Sequence, residues 1–376
     1  MEELISLRRE LHKNPEVSGF EKETAVRIQN YLGQYPPTKL LTNIGGNGIL
    51  AIYEGKQKGK TILLRCELDA LPIQEINSFE HKSKFKNVSH KCGHDGHMAI
   101  LCGVAKHIFE NPLEKGNVVL LFQPSEENGK GAQAVFDDEK FKFIQPDFVY
   151  ALHNLPGYEK NQIVLKEGTF TCAVNSIIIK LHGKTSHAGE PENGDNPALA
   201  ISEIISAFLE KKQPNILDKN YCVLTPIYIE MGEKAYGVSA GYGEVHFTFR
   251  SNQNKLMQKI ENELQEIAIT ISREHNLIPE ISWTESFKAN ENDKVAVDFI
   301  RTAARKAELS VLEKEVPFSF GEDFGLFTQH YKGAMFGLGS GKKVPALHNP
   351  DYDFPDEIIN SGVSIFTSLI KEVLDA

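Results

Sequence analysis

No run in this 376-residue chain approaches the roughly 20 consecutive apolar residues that a bilayer crossing needs; pieces such as VVLLF at 118–122 are strand-sized. A membrane protein is therefore not expected. Basic runs are missing as well. With a formal net charge of -10 and nothing longer than EKK and GKK, the chain offers no surface for a phosphate backbone, and nucleic acid is not an expected partner. The start, MEELISLRREL, lacks the basic end and apolar stretch of a secretion signal, so a cytoplasmic location is expected. Cys66, Cys92, Cys102, Cys172 and Cys222 are odd in number and form no CxxC pair, which fits reduced thiols rather than a disulfide framework. Repeats and low-complexity segments are absent too. What is present, 41% hydrophobic and 24% charged residues, is the mixture of a folded globular chain. Its length predicts two domains with a cleft between them.

Residues 1–34 carry leucines and charges at helical spacing, interrupted by the turn NPEVSG. Then NGILAIYEG, TILLRCELDALPI, NVVLLFQPSEE and DFVYALHNLP read as short apolar strands separated by helical stretches such as GHMAILCGVAKHIFE. That order predicts α/β with a largely parallel sheet. In such sheets ligands gather beyond the carboxyl ends of the strands, where Asp69, Glu126, Glu127 and His153 stand. From about residue 173 the texture becomes strand, helix, two strands, a long helix and a last strand, the βαββαβ order of a ferredoxin-like unit. After about residue 287 helices and a strand return. A small domain, 173–286, is thus expected inside a larger one made of 1–172 and 287–376.

The chemistry concentrates in HKCGHDGHMAI at 90–100, which crowds His90, Cys92, His94, Asp95 and His97 together. Thiolate and imidazole both suit zinc or a similar divalent ion. His97 and His107, on the helix that follows, read equally well as packed side chains. In FQPSEENGKGA, Glu126 and Glu127 follow an apolar strand, so one can hold metal while the other faces a water. YALHNLP and ALHNP bring His153 and His348 in similar Leu-His-Asn settings, also read as strand ends. Two ions account for the count: Cys92 shared, His94 and His153 on one ion, Glu127 and His348 on the other, and Glu126 left free. Two neighbouring ions can polarise a carbonyl and make a water between them more acidic. Glu126 can then accept a proton and pass it to a leaving nitrogen. A catalytic thiol at Cys92, activated by the histidines around it, competes with this reading. It leaves Glu126, Glu127, His153 and His348 without a task.

Over essentially its whole length the chain resembles the M20 metallopeptidase family, in particular its amidohydrolase subfamily of hippurate hydrolases and auxin-conjugate hydrolases. The resemblance rests on RRELHKNPEVSGFE, LDALPI, CGHDGHMA, FQPSEE, ALHN, GKTSHAGEPENGDNP, GEDF and LHNPDYDF, in the family's order. It implies an α/β fold of two domains: a zinc-peptidase-like mixed, mostly parallel sheet with helices on both faces, plus an inserted ferredoxin-like lid through which the chain forms a homodimer. It implies the same ligands, Cys92, His94, Glu127, His153 and His348, for two divalent ions, zinc or manganese first, cobalt or nickel as alternatives. Glu126 takes the place of the catalytic base and Asp69 that of an acid orienting a metal-binding histidine. His187 of TSHAGEP matches a lid histidine that hydrogen-bonds the developing oxyanion, and Arg250 of FTFRS matches an arginine meeting the substrate carboxylate.

The implied activity is cleavage of the amide of an N-acyl amino acid, a small-molecule substrate, to a carboxylic acid and a free amino acid. A dipeptidase or aminopeptidase of the same family is the nearest alternative, and a catalytically silent binding protein the next. The chain departs from the family in two places. Glu67 stands where the subfamily has an aspartate and is left outside the site, and Gly237 in AYGVSAG stands where the lid carries an asparagine. Other signals fail for want of context. GKTS at 183–186 has Ile178 where a phosphate loop needs glycine, GSGKK at 339–343 lacks the hydroxyl residue, and DFG at 323–325 stands without a kinase catalytic loop.

Overall fold

The computed structural model describes residues 1–376. The chain divides into two compact units: Met1–Phe170 with Asn290–Glu315 and Glu322–Ala376, and Thr171–Ala289 with Val316–Gly321. The hexapeptide Val316–Gly321 groups with the second unit although its sequence neighbours do not. There Phe318 accepts the Cys172 amide at 3.0 Å and forms a bridge with Thr171.

The first unit is built on an eight-stranded sheet. Its spatial order is Lys39–Ile44, Gly48–Glu54, Lys115–Gln123, Gln57–Glu67, Phe148–Pro156, Gly333–Gly341, Ile163–Leu165 and Val311–Glu313. The central strands run parallel, and Gly48–Glu54 turns antiparallel against Lys115–Gln123. Parallel strands covered on both faces carry unbroken apolar runs, which is why TILLRCE and VVLLF show no alternation. Ile62, Leu64 and Cys66 enter a core with Met98 and Leu101 of helix His94–Glu110 and Ile365 and Leu369 of helix Ile359–Asp375. Leu63 and Arg65 point to the opposite face. Arg65 there pairs with Glu322 and Asp323, and Asp323 accepts the Ala132 amide of helix Gly131–Asp137 at 2.9 Å. Helices thus cover both faces.

Helix Glu2–Lys13 buries Leu4, Arg8, Leu11 and His12, one stripe at helical spacing. Two of the four are polar, so their partners decide whether the stripe can be buried. The Arg8 guanidinium meets Asp95 at 2.8 Å, Asp356 at 3.4 Å and the carboxylate of Asp353. His12 lies between Asp95 at 2.7 Å and Glu75 at 3.0 Å. Burial opposes a charge on this ring, but the two carboxylates raise its pKa above the usual histidine value. Glu75 in turn accepts from His12, the Lys91 ammonium and the Ser83 amide, and these donors outweigh its burial and hold its pKa at about 2.

The second unit is a four-stranded antiparallel sheet ordered Cys222–Met231, Tyr242–Ser251, Ala173–His182 and Ile278–Phe287. Helices Ala198–Glu210 and Asn254–Glu274 pack on one face, where Ile177, Ile179, Phe247 and Phe249 meet Ile204, Phe208, Leu264 and Ala268. This is the ferredoxin-like arrangement expected from the element order. Its edge strand Cys222–Met231 leaves Ile227, Ile229 and Met231 at 60%, 51% and 41% exposure.

Because the folded-state pKa of Glu75, about 2, lies below the ordinary 4.5, its contribution to stability is present above about pH 4.5 and is lost as pH falls to about 2. In denaturant titrations of the chelated chain, Glu75→Gln should lack roughly 3 kcal/mol of the acid-dependent destabilisation of the parent over that window. Identical pH slopes for the two proteins would contradict the role given to Glu75.

Candidate metal centre

Four separate segments of the first unit converge beyond the carboxyl edge of the sheet. Cys92 ends a loop, and helix His94–Glu110 starts two residues later after Gly93, whose φ of +92° is left-handed. A side chain at Gly93 would put Cβ 2.7 Å from the Asn154 amide, so CGH needs its glycine both for the turn and for room. Glu126 and Glu127 follow strand Lys115–Gln123 through Ser125, a non-glycine residue at φ +55°. Its amide and hydroxyl donate to Glu21 at 2.9 and 3.2 Å, partners that support the strained backbone.

The histidines depart from the strand-end expectation in two ways. His153 lies inside strand Phe148–Pro156, paired with Gly337, because the sheet continues past it. His348 is not at a strand end: strand Gly333–Gly341 stops earlier, and the turn-rich stretch KKVPALHNP carries His348 on a loop with φ +66° and a half-exposed side chain.

The side chains nevertheless meet. Cys92, His94 and His153 form one cluster, Cys92, Glu127 and His348 a second, and His94, Glu126 and Glu127 a third, with donor atoms within 4.8 Å of one another in each. Cys92 Sγ is 3.5 Å from His153 Nε2, and His94 Nε2 lies 3.9 Å from Glu126 and 3.8 Å from Glu127. Glu127 also reaches within 3.8 Å of His348 Nε2.

Backbone carbonyls set the tautomers. His94 Nδ1 donates to the Asp69 carbonyl at 2.9 Å and His153 Nδ1 to the Asn154 carbonyl at 2.8 Å, which turns each Nε2 lone pair toward the cluster. The Asp69 carboxylate stands 3.5 Å from His94 Nδ1 and accepts instead from Ser18 Oγ at 2.7 Å and the Glu127 amide at 3.0 Å. It therefore ties the histidine segment to the glutamate segment. His94 Nε2 and Glu127 Oε1 are buried with no protein hydrogen-bond partner. A thiol, imidazoles and a carboxylate gathered with their donor atoms within 4.8 Å of one another are the donor set of a divalent ion, and the residues fit one.

Comparison with known proteins decides the family. Residues 63–372 match the model of peptidase family M20/M25/M40. The chain belongs to peptidase family M20/M25/M40. It is 32% identical to an N-acetyl-L-cysteine deacetylase of Bacillus subtilis, over all of this chain and 89% of that protein. It is 28% identical to a hippurate hydrolase of Campylobacter jejuni, over 99% of this chain and 97% of that one. Among solved structures, a Bacillus subtilis dinuclear metal-binding peptidase of the M20 family superposes with a TM-score of 0.84 at 26% identity, covering 100% of this chain and 98% of its own. Membership makes the chain a hydrolase of linear amide bonds.

In this M20 chain the cluster holds more negative groups than its own cations offset. Burial, then the charges of Glu322 and Glu127, pushes the Glu126 carboxyl well above the usual range. Burial raises Glu127 to about 7, with His94 drawing it down and Asp69 driving it up. The Cys92 thiol is pushed up by burial and by both glutamates. Each of these shifts is one that a nearby divalent cation reverses.

Of the remaining residues singled out in the sequence, His187 and Arg250 belong to the second unit. His187 is exposed, pairs with Val238 and accepts the Gly189 amide at 3.0 Å, while Arg250 Nη1 donates to the Ser319 carbonyl at 2.7 Å. Around the M20 cluster, motif reading passed over a buried support. Glu67 accepts from His97 Nδ1 at 2.6 Å, and His97 Nε2 faces the Asn154 side chain beside His153. Arg65 bonds the Glu67 carboxylate together with Glu322 and Asp323. The charged pair Arg65 and Glu67 inside an otherwise apolar strand was the available signal.

Replacing Arg65 by Met would leave three buried carboxylates without their cation. Denaturant unfolding of Arg65→Met should show a loss of roughly 3–5 kcal/mol, the cost of breaking a buried ion pair from one side. A loss below about 1 kcal/mol would mean that the acids are neutral in the folded chain.

Proposed function

We propose that the chain is a metal-dependent amidohydrolase that cleaves N-acyl amino acids to a carboxylic acid and a free amino acid. The observation that carries this reading is the sharing of Cys92 between two donor clusters, Cys92 with His94 and His153 and Cys92 with Glu127 and His348, while Glu126 stands beside both as a member of neither. These five residues would hold two divalent ions, zinc or manganese first, with cobalt and nickel compatible with the same donors. When bound, the ions polarise the acyl carbonyl and lower the pKa of water.

The rest is the work of side chains. Glu126, buried and aimed at the cluster, takes a proton from the attacking water as its oxygen bonds to the acyl carbon. The carbon–nitrogen bond then breaks and the same proton passes to the departing nitrogen, which leaves as the free amine. Asp69 keeps His94 and the Glu127 amide in register. His187 donates to the developing oxyanion, and the planar fork of Arg250 suits the substrate carboxylate. Names of the two relatives, a deacetylase and a hippurate hydrolase, support an N-blocked substrate. At Gly237, beside the pairing of His187 with Val238, an added Cβ would meet nothing within 4 Å. Gly237 stands where the resemblance puts a lid asparagine, so the relatives' substrate preference carries over less readily than their metal chemistry.

The proposal includes a homodimer through the second unit, supported by the exposed apolar residues of its edge strand, and a cytoplasmic location, supported by five free and buried cysteines.

Chelating the chain and restoring zinc or manganese stepwise, with N-acetyl, N-benzoyl and free-amine dipeptide substrates assayed at each step, tests the reading. Hydrolysis of a blocked amino acid should return with about two ions per chain. Preference for free-amine dipeptides would move the chain to the dipeptidases. Glu126→Gln should lower kcat by about 10²- to 10⁴-fold with metal content unchanged. Metal lost together with turnover would make Glu126 a ligand.

A further inference from the structure

Cys92, His94 and His153 are buried and take their positions from packing, but His348 is half exposed, as are its loop neighbours. Something other than a core must hold it. The backbone amide of His348 donates to the Lys91 carbonyl at 2.8 Å. The ammonium of the same Lys91, fully buried, donates to the Tyr352 carbonyl at 2.7 Å. One residue therefore grips both ends of the loop 348–352, with its main chain at one end and its side chain at the other. Between them, the Ile76 amide reaches the Pro350 carbonyl at 3.2 Å and Asn77 Nδ2 the Asp351 carbonyl at 3.2 Å. Tyr352, buried at the far end, contacts the Asn154 side chain through its hydroxyl.

A buried ammonium is expensive to retain where an apolar side chain would fill the same space. Glu75 supplies the counter-charge for Lys91, but it also accepts from His12 and the Ser83 amide and so does not depend on Lys91 alone. What Lys91 alone supplies is the donor to the Tyr352 carbonyl. It also sits next to Cys92 in the chain, so the clamp ties the thiol to the loop that bears its partner ligand.

We propose that Lys91 is a positioning residue for His348: it holds loop 348–352 so that the imidazole stays beside Cys92 and Glu127, and it governs the affinity of the ion those three residues would share. The proposal rests on reading His348 as a metal ligand, and the experiment separates the two. The full-length chain is stripped with chelator and titrated with zinc ion against a chromophoric competitor, giving an affinity for each ion.

His348→Ala should lose one of the two ions. Lys91→Met should bind the other ion as the parent does and bind that same ion at least about tenfold more weakly, the size of effect that supporting contacts to metal ligands have. Lys91→Arg, which can still donate to Glu75 and to a carbonyl, should recover most of the affinity. Where Lys91→Met folds poorly, Glu75→Gln/Lys91→Met removes both charges together and should show the same loss confined to one ion. Two ions bound with parental affinity by Lys91→Met or by the double variant, or an equal weakening of both ions, overturns the proposal alone. Two ions retained by His348→Ala overturns the ligand reading, and the proposal with it.

Discussion

Charge balance at the carboxyl edge of the large sheet is the constraint on which the rest of the first unit depends. Buried carboxylates crowd there; Asp69 and Glu21 are held by neutral hydrogen-bond donors, and most of the others have a cation beside them. Arg65 serves Glu67, Glu322 and Asp323; Arg8 serves Asp95 and, with it, Asp353 and Asp356; His12 and Lys91 serve Glu75. Cys92, Glu126 and Glu127 are left facing the imidazoles of His94, His153 and His348, and burial and neighbouring carboxylates raise the pKa values of the thiol and both carboxyls. A protein interior tolerates such a set only neutralised or bound to cations. Of this set, Cys92 and Glu127 are among the residues proposed to hold divalent ions, and Glu126 is the proposed base.

The same arrangement explains why the surroundings of the cluster are so polar. Asp69 links Ser18, His94 and the Glu127 amide; His97 joins Glu67 to Asn154; Lys91 joins Glu75 to Tyr352. Every ligand-bearing segment is held by a hydrogen bond from a different part of the chain. Left-handed backbone at Ser125 and His348 aims the neighbouring side chains, and in both places a buried partner, Glu21 or Lys91, supports it. The N-terminal helix, remote from the ligands in sequence, is bound into this support through Arg8 and His12.

The second unit contributes a different kind of surface. Its core is apolar and closed on one face by two helices, whereas its edge strand exposes Ile227, Ile229 and Met231. Natural sheets seldom leave such an edge uncovered, which is why a second copy of the chain enters the proposed assembly.

Residue types and their local order determined a good deal. The order of short apolar strands and helical stretches announced a largely parallel sheet, the βαββαβ alternation announced the second unit, and CGHDGH with FQPSEE marked the chemistry. Those signals are local, carried by spacing within a dozen residues, and so they survive in one dimension. Only the tertiary structure decided that His348 stands on a half-exposed loop, that the Asp69 carbonyl rather than its carboxylate makes the closer bond to His94, and that Glu67 and Lys91 belong to the support of the cluster. Each of these depends on partners far apart along the chain, Asp69 with His94, Glu67 with His97 and Lys91 with Tyr352, and a hydrogen bond between distant residues leaves no period in a sequence to read.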